Sequence, residues 1–354
     1  LQPSLLIKLT VKTYGTLPDG NEVSIFILRN KNGMVAKVIE YGAILTSLEV
    51  PDKDGKVADV THGYDTLEGW LSNESYFGAT AGRFGNRIAH GKFSLDDEDY
   101  SLVTNNDPGG LPSALHGGIK GFDKVRWSGE SFQNADSNGV TLTYVSPDGE
   151  EGYPGTLTAV VTYTLNDDNE LLWEAKATVE GKATPVNIIH HSYWNLSNDQ
   201  DSSINNHLLT LNAKSFLPTN AGLIPTGEIA PVAGTPLDFT KPTVIGERVE
   251  ADDQNLKFAG GYDHCWVLDP LPADQSVQSA AILHDPKTGR TLEVLTDQPG
   301  IQFYGGNFLA NDVDGKDGKS YPHRSAGCLE SQRFPDSPNQ EAFRRKKAVA
   351  SSTL

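Results

Sequence analysis

Two consecutive stretches constrain this chain more than anything else in it. In TLTAVVTYTL, Leu157, Ala159, Val161, Tyr163 and Leu165 fall on one side of an extended chain, and Thr156, Thr158, Thr162 and Thr164 fall on the other. LLWEAKATVE repeats the alternation, with Leu171, Trp173, Ala175, Ala177 and Val179 set against Glu174, Lys176 and Thr178; NDDN between them supplies turn residues. The spacing predicts an antiparallel hairpin with one buried face. VTLTYV at 140–145 and AKVIEYGAILTSLEV at 36–50 read as strands too, the second closed by the turn signal PDKDG at 51–55.

The 354 residues include 35 Gly, 20 Pro and a single Met, a balance that suits many short strands and tight turns. No fixed-period repeat, heptad or interdomain linker is visible. The expected architecture is all-β: one domain over residues 1–354, built from packed antiparallel sheets.

A formal charge of −17 repels phosphate backbones and anionic lipid, which argues against nucleic-acid or membrane-surface partners and favours a neutral small molecule. RRKK at 344–347 reads as a solvated end. Cys265 and Cys328 form no CxxC pair, so neither a disulfide framework nor a cysteine zinc site is indicated. No apolar run reaches a membrane-spanning length. The first residue is not Met and no leader is visible, so a cytoplasmic and a secreted location both stay open; sequons stand at Asn73 and Asn195.

In VNIIHHSYWNL two histidines are adjacent within a strand-like run. Neighbours on a strand point to opposite faces. His190 shares a face with Val186, Ile188, Trp194 and Leu196, which marks it as core-facing. His191 shares one with Asn187, Ile189, Tyr193 and Asn195, which turns it toward something polar. Adjacent strand residues cannot readily chelate one ion, and no HExxH spacing occurs elsewhere, so no metal is expected. Hydrogen-bonded structural histidines are the competing reading. SALHGGIKGFDK sets His116 before two glycines that let a ligand approach the backbone. TAGRFGNRIAHGKF offers Arg83, Asn86 and Arg87 but matches neither nucleotide-binding glycine pattern. GGYDHCWVL adds Asp263, and GCLESQRFPDSPN adds Glu330.

Taken together, PDKDGKVADVTHGYDTLEGW, GRFGNRI, LHGG, HSYWNL, GYDH, QPGIQFY and LESQRFPDSPN resemble, in order and separation, the aldose 1-epimerase (galactose mutarotase) family. The resemblance runs from about residue 14 to 339 and leaves 340–354 as a divergent tail. It implies a large antiparallel β-sandwich, the galactose mutarotase-like supersandwich, with a sugar cleft on one sheet. It also implies interconversion of the α and β anomers of free aldoses without cofactor or metal; whether the chain is a monomer or homodimer stays open.

Ring opening needs a base on the C1 hydroxyl and an acid at the ring oxygen. By resemblance Glu330 is the base, His191 the acid and His116 a second active-site histidine; Arg83, Asn86, Asp263 and Gln302 are sugar ligands. The chemistry calls for ionised Glu330 beside protonated His191, an ion pair that proximity favours. The chain departs from the family in carrying His190 where Asn is usual, ESQ for ETQ, and a tail without clean alternation where a closing strand is usual. Glycoside hydrolysis, which needs two flanking carboxylates, leaves the histidines without a role. A catalytically silent carbohydrate-binding protein and a hexose-phosphate epimerase are the remaining alternatives.

Overall fold

In the computed structural model, which describes residues 8–343, the hairpin forms in the register that the alternation requires. Thr156–Asn166 pairs with Leu171–Glu180, with Tyr163 opposite Trp173 and Leu165 opposite Leu171. Leu157, Ala159, Val161, Tyr163 and Leu165 are buried in the core. The second strand differs from the expectation. Leu171 and Trp173 pack against the core, whereas Ala175, Ala177 and Val179 are exposed. Leu171–Glu180 is the outermost strand of a four-stranded sheet, and its far half overhangs the core. Glu174, Lys176 and Glu180 place charge along that free edge, which discourages pairing with another chain.

The stretch at 36–50 forms two strands, Val35–Ile39 and Ile44–Pro51, because the chain reverses through Gly42 and Ala43, both at positive φ. They belong to a five-stranded meander that begins at Leu9–Thr16 and ends at Val57–Asp59. The PDKDG turn is closed by the Asp52 carboxylate, which accepts from the backbone N–H groups of Asp54 and Lys56.

A six-stranded sheet contains, in spatial order, Tyr193–Trp194, Gly327–Gln332, Gly300–Tyr304, Asp263–Val267, Ser215–Phe216 and Ala230–Pro231. One apolar cluster joins this sheet to the others: Trp266, Ile301, Phe303 and Leu329 meet Leu28 and Val38 of the meander, Val161 of the four-stranded sheet, and Leu209 and Leu283 of a further one. Burying side chains of this size contributes about 1.5–3 kcal/mol each.

Gly300–Tyr304 is buried on both faces. Its odd residues, Ile301 and Phe303, enter the core, so its even residues face the other way. Asp263, Tyr304, Cys328 and Tyr193 form one cross-strand row on that second face, and Cys265, Gln302 and Glu330 form the next.

Both sequon asparagines are buried. Asn73 exchanges hydrogen bonds with the Phe77 backbone, and Asn195 donates to the carbonyls of Ser202 and Ser325. Neither amide can carry a glycan in this fold. At the C-terminal side, Phe343 packs with Leu217, Cys265 and Phe334. RRKK lies outside the described residues, and no helix among the described residues is long and apolar enough to cross a membrane.

Candidate active site

Five chain segments bring the site together on the second face of the six-stranded sheet. Glu330 and Gln302 stand opposite each other in the Gly327–Gln332 and Gly300–Tyr304 pairing, and Asp263 comes from the next strand. His191 ends the short strand Ile189–His191, which pairs with Ala79–Ala81. His116 follows Ser113–Leu115, which pairs with Arg87–Ala89, and its φ of 51° turns the chain into the glycines that follow.

His116, His191 and Glu330 converge, with their donor atoms all within 4.8 Å of one another. His191 Nε2 lies 3.6 Å from Glu330 Oε2. The two imidazoles meet edge to face at 4.9 Å, and the Tyr76 ring leans over both, 4.6 Å from His116 and 5.7 Å from His191. Tyr76 is held there by a tight loop that the Asn73 side chain closes.

Strand parity placed the two adjacent histidines correctly. His190 turns to the opposite side, beside Tyr163, Trp173 and Trp194. Tyr163 donates its hydroxyl hydrogen to the Ala43 carbonyl, so it accepts from His190 Nδ1–H, and Ser192 completes the ring at Nε2.

A line of amides runs beneath the cluster. Asn86 Nδ2 donates to Gln332 at 3.5 Å, Gln332 to Gln302 at 3.0 Å, and Gln302 to Asp263 Oδ1 at 2.8 Å. The Asn86 backbone N–H donates to His116 Nδ1 at 3.1 Å. That bond occupies the Nδ1 lone pair, so neutral His116 carries its hydrogen on Nε2. A ring fixed in this tautomer donates from Nε2 and offers no lone pair to a metal there. Two histidines and a carboxylate are a common ligand set, but the tautomer of His116 fits a metal poorly.

Arg83 does not reach this cluster, contrary to the sequence expectation. Its guanidinium is buried and donates to the carbonyls of Pro154, Gly155, Ser146 and Pro147 and to the hydroxyls of Ser146 and Thr184. It fastens the Ala79–Arg87 segment to the supporting sheet and has no donor left for a sugar beyond Nε. The arginine of the site is Arg87. It is buried, its Nε donates to Asn106 at 2.9 Å, and its charge acts on Asp263, Glu330, Tyr76 and Tyr304. Asn86 supports His116 and Gln332 from below.

Burial and the neighbouring Asp263 raise Glu330 well above the ordinary carboxylate range, with Arg87 pulling against them. Burial lowers His191 to about 4 and holds His116 well below its usual value. The separation of Glu330 and His191 suits an ion pair, but desolvation opposes charge on both. It favours a carboxylic acid beside a neutral imidazole over the ion pair expected from proximity alone. Glu330 Oε2 is buried and has no hydrogen-bond partner among the described residues.

Residues that sequence reasoning missed are Arg87 as the site arginine, and Tyr76, Cys328 and Gln332. Parity within CLESQ would have found Cys328 and Gln332, which lie two positions either side of Glu330 on the same face.

Residues 24–349 match the family model described as Aldose 1-epimerase. The chain is 42% identical over 338 residues to galactose mutarotase from Homo sapiens, covering 96% of this chain and 94% of that one. It is 36% identical to aldose 1-epimerase from Escherichia coli, covering 93% and 91%. Among solved structures, galactose 1-epimerase from Lactobacillus acidophilus superposes with a TM-score of 0.80 at 27% identity, covering 93% of this chain and 91% of that one. A GalM/aldose epimerase homologue from C. elegans superposes with a TM-score of 0.76 at 29% identity, covering 90% and 92%.

Proposed function

This chain belongs to the aldose 1-epimerase family, and from that membership we propose that Glu330 and His191 carry its interconversion of the α and β anomers of free aldoses. The observation that carries the assignment is the buried pair itself. An unpartnered carboxylate oxygen sits 3.6 Å from an imidazole nitrogen, with hydrogen-bonding groups on every side.

The reaction moves two protons while the pair holds one throughout. Glu330 as carboxylate takes the hydrogen of the C1 hydroxyl while His191 as imidazolium gives one to the ring oxygen, and the C1–O5 bond breaks to leave an open-chain aldehyde. The pair is then a carboxylic acid and a neutral imidazole. Rotation about C1–C2 presents the other carbonyl face, and the same transfers in reverse close the ring. Burial favours the neutral arrangement, so it lowers the energy of the ring-opened stage. The closed sugar, bridging Glu330 and His191, supplies the hydrogen bonds that offset charge separation in the reactant.

His116, fixed as an Nε2–H donor, is suited to hold a sugar oxygen without exchanging protons. Arg87, Asp263 and Gln302 are suited to bind ring hydroxyls, with Asp263 held in orientation by the amide line. The relatives named for galactose make it the first substrate to try.

Polarimetry of freshly dissolved α-D-galactose and α-D-glucose tests this, with buffer alone as the baseline. Acceleration that Glu330→Gln and His191→Ala each abolish supports the assignment. Wild-type decay equal to buffer for every free aldose would refute it. Wild-type acceleration unaffected by both substitutions would refute the residue roles alone.

A further inference from the structure

The buried thiol of Cys328 lies against the catalytic histidine and is absent from the chemistry above. It is fully buried, two residues before Glu330 on the same face of the same strand, in the row that pairs it with Tyr193 on one side and Tyr304 on the other. Its Sγ is 3.7 Å from His191 Nδ1, within reach of a hydrogen bond to sulfur. We propose that Cys328 is the positioning residue that holds His191 in its working tautomer, by accepting a hydrogen bond from Nδ1–H. The proposal rests on the role given to His191 above.

The need for such a residue follows from the proton balance. His191 Nε2 faces Glu330, so Nε2 is the nitrogen that gives a proton to the ring oxygen and later takes one back. To take one back it must present a lone pair, which leaves the single hydrogen of neutral imidazole on Nδ1. The opposite tautomer puts that hydrogen on Nε2 and cannot accept. A buried Nδ1–H needs an acceptor; the backbone of His191 gives the ring some support, and a side chain facing Nδ1 has to supply the rest if the hydrogen is to stay there. Cys328 Sγ is positioned to accept it.

The choice of sulfur has a chemical consequence. Histidine bases are commonly oriented by a carboxylate, which raises their basicity and stabilises the imidazolium. A thiol is a weak acceptor and carries no charge while protonated. Burial keeps the Cys328 thiol protonated, since it pushes its titration well above the usual value. A protonated thiol can donate as well as accept, so it selects the Nδ1–H tautomer with its own S–H turned to the neighbouring Tyr193 hydroxyl, and it does so without strengthening the base. The imidazolium stays acidic enough to protonate an ether oxygen, a far poorer base than the amines and alkoxides protonated in other enzymes.

The arrangement of His116 is complementary. There a backbone N–H occupies Nδ1 and fixes the hydrogen on Nε2. Two imidazoles 4.9 Å apart are thus set in opposite tautomers by opposite partners, one to donate steadily and one to exchange.

Nitrogen-15 NMR of the imidazole rings in the wild-type protein, assigned through His191→Gln, reads the tautomer directly and without turnover. The expected result is a neutral His191 with its hydrogen on Nδ1. A hydrogen on Nε2 would overturn the proposal whatever the activity. Cys328→Val removes the acceptor while nearly preserving volume, and Cys328→Ser restores an oxygen acceptor. For the valine variant we expect kcat to fall by about tenfold or more, the lower end of what orienting partners of histidines contribute, with KM nearly unchanged and a larger Nε2–H population. Serine should recover a substantial part of kcat. Equal kcat in wild-type and valine proteins, or a loss in valine that serine does not relieve while both stay folded, would overturn it. An inactive wild-type protein with the expected tautomer would instead count against the roles of Glu330 and His191.

Discussion

His191 Nε2 and Glu330 Oε2 lie 3.6 Å apart, each on a side chain less than one-tenth exposed, and desolvation opposes charge on both. Glu330→Gln keeps the shape and removes the proton acceptor. Its rate of anomer interconversion should fall by about 10²- to 10⁴-fold, while binding of galactose, followed by calorimetry, changes little. Loss of binding together with rate would instead make Glu330 a ligand.

The same pair sets the pH profile. It works while holding one proton. As pH falls through about 4, His191 takes up a second proton and kcat/KM declines. On the alkaline side kcat/KM declines when the shared proton leaves, above the ordinary carboxylate range because Glu330 is raised. Enzymatic rates corrected for the spontaneous reaction should show a broad bell. An acid limb centred near about 6.5, the unperturbed histidine value, would contradict it.

Stability should be more sensitive to acid than activity alone suggests. His62, His116, His190, His191, His207 and His264 are all lowered, chiefly by burial. A histidine with a depressed native value binds its proton more readily when unfolded. Each such group therefore removes stability as pH falls from its unfolded value toward its folded one, by up to about 1.4 kcal/mol per pH unit. Urea unfolding at pH values between about 4 and about 7 should show a steep loss toward acid. Replacing His62 by Gln should reduce the slope.

The two arginines of GRFGNR should separate cleanly. Arg83→Met strands several buried carbonyls and should cost about 3 kcal/mol or more, lowering Tm. Arg87→Met should weaken kcat/KM for galactose by about tenfold or more, as expected for loss of a charged hydrogen-bond donor, with a smaller change in Tm. Equal effects of both substitutions on KM would contradict the division.

Much of the site was legible because strands obey parity. The side of His191, and the shared side of Glu330 with its neighbours two positions away, follow from alternation alone. The choice between Arg83 and Arg87 was not legible. Asn86 lies between them at a φ of 63°, which reverses the chain and breaks any count of alternating faces. Only the pairing of Arg87 with Leu115, a contact distant in sequence, decides which arginine lies beside the histidine and carboxylate cluster. The overhang of Leu171–Glu180 was hidden for a similar reason: its alternation is as regular as that of its partner, and what differs is the absence of a sheet beyond it. The protonation of the buried pair depends on desolvation, which no local pattern encodes.

The strand Gly327–Gln332 carries Glu330 toward the two histidines and Leu329 toward the core. A slip of one position against Gly300–Tyr304 would exchange them, pressing a carboxylate into the apolar layer and a leucine into the sugar's place. Turnover therefore begins only when this strand has docked in register, and the first detectable mutarotation in a refolding experiment times that docking event.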